Sequence, residues 1–209
     1  MYSTLTKSLF LIKSLYLSMV ISLACSNTYA VECQVDTSRS NLVKFTSDAP
    51  IEDFEGVSDR IDGYVFWQGE ELRERTDFDK SELYFEVELG ALDTGIGLRN
   101  RHMRENYLET DKYPFATFSG KISQVTETSP GEFLVTSTGS FIIHGSTKEQ
   151  IIECRVQKED SGYRIQSDFQ VQLPDYNIEV PSLMFMKINE VIEVSLDFYV
   201  SVIDTGENK

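Results

Sequence analysis

The stretch IEVSLDFYVSV, residues 192–202, decides the fold class because apolar and polar side chains alternate along its whole length. The apolar positions run from Ile192 to Val202, and the positions between them carry glutamate, serine, aspartate and tyrosine. This period of two is typical of a β-strand with one buried and one solvated face. The segment therefore predicts a long strand in an antiparallel sheet that is buried on one side.

The same alternation recurs upstream and divides the chain into strands. Residues 83–89 (LYFEVEL) and 163–172 (YRIQSDFQVQ) repeat it most clearly. Two segments, 50–58 and 98–110, break it, and the second is rich in helix formers and predicts one short helix. Further strands are predicted at about 32–36, 41–47, 59–69, 115–126, 131–143 and 149–157.

Eight or nine strands with a single apolar face must close on themselves or stack, because either arrangement removes exposed sheet edges. Long, continuously alternating strands favour an up-and-down barrel over a sandwich. The interior of an eight-stranded barrel can hold side chains or one elongated ligand. The predicted fold class is therefore all-β, with a closed antiparallel barrel and one short helix in the 98–110 loop.

The charge balance limits the partners of the protein. The chain has 34 acidic and 19 basic side chains in 209 residues, which gives a net charge of −15. Such a field repels nucleic acid and anionic surfaces and favours a monomer or homodimer. No serine-nucleophile elbow, zinc-protease motif, P-loop or dinucleotide fingerprint occurs in the sequence. We therefore predict no cofactor, no metal, no nucleic-acid partner and no enzymatic activity.

The N-terminal segment has the pattern of an export signal. Two lysines precede a short apolar run at 14–24, and small residues at 28–30 suit cleavage after Ala30. We predict a signal peptide at 1–30, a barrel domain at 31–209, and a periplasmic or secreted protein. Lipidation of Cys25 is the alternative, although Ser22 stands where a large aliphatic residue is expected.

Cleavage after Ala30 leaves two cysteines, Cys33 and Cys154. In an oxidising compartment such a pair predicts a disulfide, here closing a loop of more than a hundred residues. The alternative is two small buried residues on the inner faces of their strands.

Two sequence blocks resemble the signature of the YceI-like family. The first is LDTGIGLRNRHMRENYLETDKYPFATFSG at 92–120, and the second is GSFIIHGSTK at 139–148. The resemblance extends from about Cys33 to about Val202. It implies a lipocalin-like barrel that binds a polyisoprenoid lipid in its interior.

Six phenylalanines fall on predicted inward positions, where they would either fill a solid core or line a tunnel for a hydrocarbon chain. The pattern fits both, and the family resemblance favours the tunnel. The histidine of the second block, His144, is predicted to be a turn residue whose ring packs beside Thr147. The predicted ligand-binding residues are Phe45, Phe85, Val87, Arg99, His102, Phe118, Phe141, Ile143, Phe169 and Phe198.

The basic cluster Arg99, Arg101, His102 and Arg104 also has two interpretations. It is either a solvated helix whose arginines pair with neighbouring acids, or a cationic rim that receives an anionic head group. Arginine suits the second role because its planar fork binds phosphate through two hydrogen bonds.

These observations predict an exported protein that binds or carries a polyisoprenoid or quinone-like lipid, with a membrane protein as a possible transient partner. Two alternatives stay open. One is a lipid- or ester-modifying enzyme that uses His102 or His144. The other is a solidly packed, stress-related interaction protein without a ligand.

Overall fold

The computed structural model describes residues 29–47, 54–74, 76–183 and 186–203. Nearly all regular structure in these residues is β. The strands are β1 (Ala30–Val35), β2 (Leu42–Ser47), β3 (Phe54–Ser58), β4 (Ile61–Gln68), β5 (Glu82–Glu88), β6 (Phe115–Ser129), β7 (Glu132–Ile143), β8 (Ser146–Glu159), β9 (Gly162–Gln172), β10 (Ser182–Leu183), β11 (Met186–Lys187) and β12 (Val191–Val202).

Eight of these strands close into a barrel. Their order is β1, β4, β5, β6, β7, β8, β9 and β12, and β12 pairs back with β1. All of the pairings are antiparallel. The predicted closed, antiparallel, eight-stranded barrel is confirmed, and it extends over residues 30–202.

Strands β2 and β3 lie outside this ring and extend one wall of the barrel. The end of β12 near Val202 pairs with β1, whereas its Glu193–Asp197 half pairs with β2, which in turn pairs with β3. The sequence predicted an irregular segment at 50–58, but residues 54–58 form β3. A side chain at Gly56 would place its Cβ 2.2 Å from the ring of Phe45, so a small residue interrupts the alternation here. Residues 50–53 lie outside the described part of the chain.

The end of the barrel opposite β2 and β3 is closed by the connection between β4 and β5. Leu72 and Phe78 from this connection are buried in the core. The backbone N–H of Leu72 donates to the hydroxyl of Tyr163 at 3.3 Å, and the Tyr163 ring packs edge-on against Trp67. These contacts fix the connection across the end of the barrel.

The predicted helix is present, but it is shorter than the segment 98–110. Helix α1 covers Gly97–His102 and continues into one wide turn of π-helical geometry at Met103–Tyr107. None of the helices in the described part of the chain has the length and hydrophobicity that a membrane crossing requires. The predicted signal peptide lies almost entirely outside the described residues.

The predicted disulfide is wrong: Cys33 and Cys154 are both free thiols. Cys154 on β8 pairs with Ser167 of β9, and that serine pairs with Leu196 of β12. Cys33 on β1 pairs with Val202 of β12. Through these pairings Cys154 is level with Leu196 of β12, whereas Cys33 is level with Val202. These two positions are six residues apart along β12, which is about 20 Å. Strands β9 and β12 also lie between the two cysteines. A disulfide tolerates at most about 7 Å between Cα atoms.

Candidate functional site

The barrel encloses a cavity of about 680 Å³. Its wall is built almost entirely from apolar side chains that point inward from the strands. At the closed end the lining includes Trp67, Leu72 and Tyr163, which are at most 6% exposed. At the other end it includes Ile96 and Leu98, which are more than half exposed. The cavity therefore opens beside α1.

All ten predicted site residues line this one cavity. Strand parity brings the six phenylalanines together on the cavity wall, and five of them, all except Phe118, pack edge-on against another aromatic ring. Phe85 lies 5.3 Å from Phe198, and Phe141 lies 5.9 Å from Phe169, measured between ring centroids. Contact with a ligand remains a prediction for these residues.

Several lining residues were missed by the sequence analysis. Trp67 could have been found, because it shares the inward parity of the predicted strand 59–69 with Val65. Phe54 gave no signal, since it begins the short strand β3, yet its ring packs edge-on against Phe45 at 6.2 Å.

The wall of the cavity carries few polar groups away from its mouth. Ser137 lines it on β7 and is 5% exposed. Cys154 lines it on β8, and burial raises the pKa of the Cys154 thiol to about 11. This thiol is therefore neutral at physiological pH, and the wall presents no charge deep in the cavity.

The segment before α1 is held in place by the amide of Asn100. Its Oδ1 accepts hydrogen bonds from the backbone N–H of Thr94 at 2.8 Å and from the Thr94 hydroxyl at 2.7 Å. Its Nδ2 donates to Asp93 at 2.6 Å. This hydrogen bond, with a second from the backbone N–H of Gly95, lowers the pKa of the Asp93 carboxyl. An amide is required here because a carboxylate could accept but not donate.

The basic residues of this segment point in different directions. Arg99 lines the cavity mouth: its Nε donates to the Thr94 hydroxyl at 3.0 Å, and its guanidinium lies 4.7 Å above the Phe54 ring. Arg101 faces solvent and pairs with Glu105 at 3.2 Å. His102 is exposed and also borders the cavity.

Arg104 has a structural role that the sequence did not indicate. Its Nη2 donates to the backbone carbonyl of Leu92 at 3.2 Å, which ties the turn after α1 to the segment before it. The basic cluster therefore divides into residues at the mouth, a solvent-facing residue and a structural residue.

The two sequence blocks meet at His144. Nε2 of this histidine lies 2.8 Å from the Glu109 carboxylate, and Nδ1 lies 3.3 Å from the carbonyl oxygen of Tyr176. Its ring packs edge-on against Tyr113, with ring centroids 4.8 Å apart. His144 therefore anchors the far end of the loop that carries α1.

The prediction that His144 is a turn residue is consistent with its backbone, which has a φ of +52°. The structure gives its ring two partners that the sequence analysis did not name, Glu109 and Tyr113. Gly145 makes room for this contact. A Cβ there would lie 2.6 Å from the Tyr113 ring, which explains a glycine directly after the histidine.

A closed antiparallel barrel of eight strands around an apolar cavity defines the lipocalin-like class of β-barrels. A family model described as the YceI-like domain matches residues 34–200. The protein belongs to the YceI-like family.

Solved structures support the fold. BcnA of Burkholderia cenocepacia superposes with a TM-score of 0.59 at 16% identity, covering 81% of this chain and 99% of its own. A polyisoprenoid binding domain from Saccharophagus degradans, implicated in plant cell wall breakdown, superposes with a TM-score of 0.61 at 16% identity. That match covers 84% of this chain and all of the domain. Comparison with curated proteins gave no match.

Within the described residues, no cluster of three or more histidine, cysteine, aspartate or glutamate side chains is arranged to hold a metal ion.

Proposed function

We propose that this protein binds and carries an elongated lipid of polyisoprenoid type inside the barrel. The observation that carries the proposal is the cavity of about 680 Å³, with an almost wholly apolar wall and one open end. An apolar chain gains about 0.8 kcal/mol for each methylene removed from water, so such a wall binds it without polar contacts.

The cavity also favours a carrier over a solidly packed barrel. Some phenylalanine rings touch across the barrel, as Phe85 and Phe198 do at 5.3 Å. The side chains nevertheless leave a cavity of about 680 Å³ whose lining extends to Trp67, which a solid core would not contain. The likeness to the Saccharophagus degradans polyisoprenoid binding domain supports the same choice of guest.

The mouth suits an anionic or strongly polar head group. Arg99 uses Nε and one hydrogen of Nη2 to hold Thr94, which leaves guanidinium N–H groups free to donate to a guest. His102 stands one helical turn further along α1 and borders the same opening. A phosphate between these two side chains would keep its charge at the water boundary while its chain entered the barrel.

We propose a binding protein and not an enzyme. Both ring nitrogens of His144 are engaged by Glu109 and the Tyr176 carbonyl, and His144 does not border the cavity. We further propose that the protein acts after export, with cleavage following Ala30. The apolar run at 14–24 supports this proposal.

Native mass spectrometry of protein purified from its own host tests the binding proposal directly. We expect an adduct with the mass of an isoprenoid lipid, which is removed by organic extraction and restored by adding a prenol. Protein that neither retains nor takes up any lipid would contradict the proposal. The N-terminal mass in the same spectrum tests cleavage after Ala30.

The head-group proposal is tested by Arg99→Ala with two guests of equal chain length, a prenyl phosphate and a prenol. A charge-assisted hydrogen bond contributes about 1.5–3 kcal/mol, so the phosphate should bind at least about tenfold more weakly while the prenol changes little. Arg101→Ala is the matched control, because Arg101 faces solvent in the same helix. Equal weakening of both guests would mean that Arg99 only holds Thr94.

A further inference from the structure

Two large apolar side chains at the cavity mouth face solvent. Ile96 is 52% exposed and Leu98 is 62% exposed, and both also line the cavity. The other exposed large apolar side chains of the described residues lie outside the cavity lining. Among the side chains that the structure describes, the apolar interior therefore continues onto the outer surface at Ile96 and Leu98.

We call residues 94–104 the rim segment. It contains three arginines and a histidine and no acidic residue, in a chain with a net charge of −15. The side chain of Arg101 is 68% exposed, and its partner Glu105 lies just beyond the segment. The rim segment is therefore a local positive region on an acidic protein.

The barrel does not cover Ile96. It lies between Gly95 and Gly97, and a Cβ added at either glycine would meet no atom within 4 Å. Gly95 has a φ of +75°, a conformation that suits glycine. Ile96 and Leu98 are thus free to insert into an apolar phase outside the protein without unpacking the barrel.

We propose that the rim segment docks on an anionic lipid bilayer, with Ile96 and Leu98 in the interfacial region and Arg99 and Arg101 against head-group phosphates. Apolar side chains combined with arginines on one short helical surface are the pattern of interfacial binding. The net negative charge of the protein is repelled by the same bilayer, so the positive rim segment favours an approach with the mouth toward it.

This inference rests on the proposed function, because it supplies the route by which a water-insoluble guest reaches the cavity. With the mouth against the bilayer, the guest passes from acyl chains to the apolar wall beside Leu98 without crossing bulk water. Its head group passes at the same time from lipid phosphates to Arg99 and His102.

Vesicle flotation tests the docking. The barrel closes entirely within residues 30–202, so a chain of residues 29–209 retains every barrel strand and omits the apolar run at 14–24. We expect this chain to float with phosphatidylcholine vesicles that contain phosphatidylglycerol and not with phosphatidylcholine alone. Added salt should weaken the binding, because salt screens the arginines.

Two pairs of variants separate docking from general surface effects. Leu98→Ser should weaken binding about tenfold, whereas Ile151→Ser, at a residue 67% exposed on the outer wall, should leave it unchanged. Arg101→Gln should weaken binding about fivefold. Arg155→Gln should not, although the Arg155 side chain is equally exposed and also pairs with a carboxylate.

The docking inference is overturned if the chain does not bind anionic vesicles, or if Leu98→Ser and Ile151→Ser bind alike. Uptake of a detergent-dispersed prenol, measured on the same samples by native mass spectrometry, separates this result from failure of the proposed function. Uptake of the prenol without vesicle binding would support the carrier proposal and contradict the docking proposal. Vesicle binding that depends on these variants, without uptake of the prenol, would support the docking proposal and contradict the carrier proposal.

Discussion

The size of the cavity predicts how long a guest the protein can enclose. At roughly 30 Å³ for each non-hydrogen atom, which is the share of one water molecule in the liquid, about 680 Å³ holds on the order of 20 carbon atoms. This number corresponds to about four isoprene units. We therefore expect affinity to rise with each unit up to about that length and then to level off, since further carbons remain at the mouth.

The expected steps are large enough to measure. Complete burial of a five-carbon unit would contribute up to about 4 kcal/mol at about 0.8 kcal/mol per methylene. Even a quarter of this value, about 1 kcal/mol, changes Kd about fivefold. Ser137→Phe adds about five non-hydrogen atoms to the cavity wall, the size of one isoprene unit. It should move the plateau to shorter guests by at least one unit.

The assay is a series of prenols of increasing length, each titrated while affinity and tryptophan emission are recorded. Trp67 is the single tryptophan of the chain and lies at the closed end, so its emission reports whether the tail reaches there. Ser119→Phe is the matched control, because Ser119 lies on the exposed face of β6. It adds the same atoms outside the barrel.

Two results would refute this reasoning. Affinity that keeps rising in equal steps well past the plateau would mean that the guest is not limited by this cavity. An unchanged plateau in a folded Ser137→Phe variant would mean that the guest does not pass Ser137. The first result would mean that the cavity does not set the length of the guest, and the second that the guest occupies only the part of the cavity that Ser137 does not border.

Three further predictions concern the scaffold. Burial raises the pKa of Cys33 to about 12 and that of Cys154 to about 11. A thiol reagent at mild alkaline pH should therefore modify neither cysteine in the native barrel domain and both after unfolding. A denatured, unreduced domain without reactive thiols would contradict the free cysteines. An arginine hydrogen bond lowers the pKa of Asp197 below 3.8, so this carboxylate stabilises the fold above about pH 4 and loses that effect as pH falls through its folded pKa. The Tm difference between the protein and Asp197→Asn should therefore shrink on acidification, and a constant difference would exclude the linkage. Asn100→Asp should destabilise the segment before α1 by about 1–2 kcal/mol, because a carboxylate cannot donate the hydrogen bond that the amide supplies; unchanged amide hydrogen exchange at Thr94 and Gly95 would contradict this role.

The barrel was predictable because its strands carry the pattern of a sheet buried on one side. In β12 and β9 the residue parity alone placed Phe198 and Phe169 on the cavity wall. The predicted helix position was also correct, although the sequence did not indicate that helical hydrogen bonding would widen after His102. Short-range patterns therefore identified both the wall and the mouth of the site.

Features that depend on register or on distant contacts could not be predicted in the same way. The disulfide was wrong because parity places Cys33 and Cys154 on inner faces but carries no information about their positions along the barrel axis. The carboxylate partner of His144 was not predicted, because Glu109 comes to it from another loop. Phe54 was missed because β3 is short and contains a glycine.

The pairing of β12 also determines when the cavity can exist. This strand is the last of the barrel in chain order, and it pairs with β9, with β1 and with β2. While a chain is being synthesised from its N-terminus, β1 and β9 each lack a neighbour on one side, and the β2–β3 pair has no sheet to join. Every earlier intermediate is an open sheet with its apolar face uncovered. Because β12 alone joins β9 to β1, the enclosed space cannot exist before this last strand has paired with both.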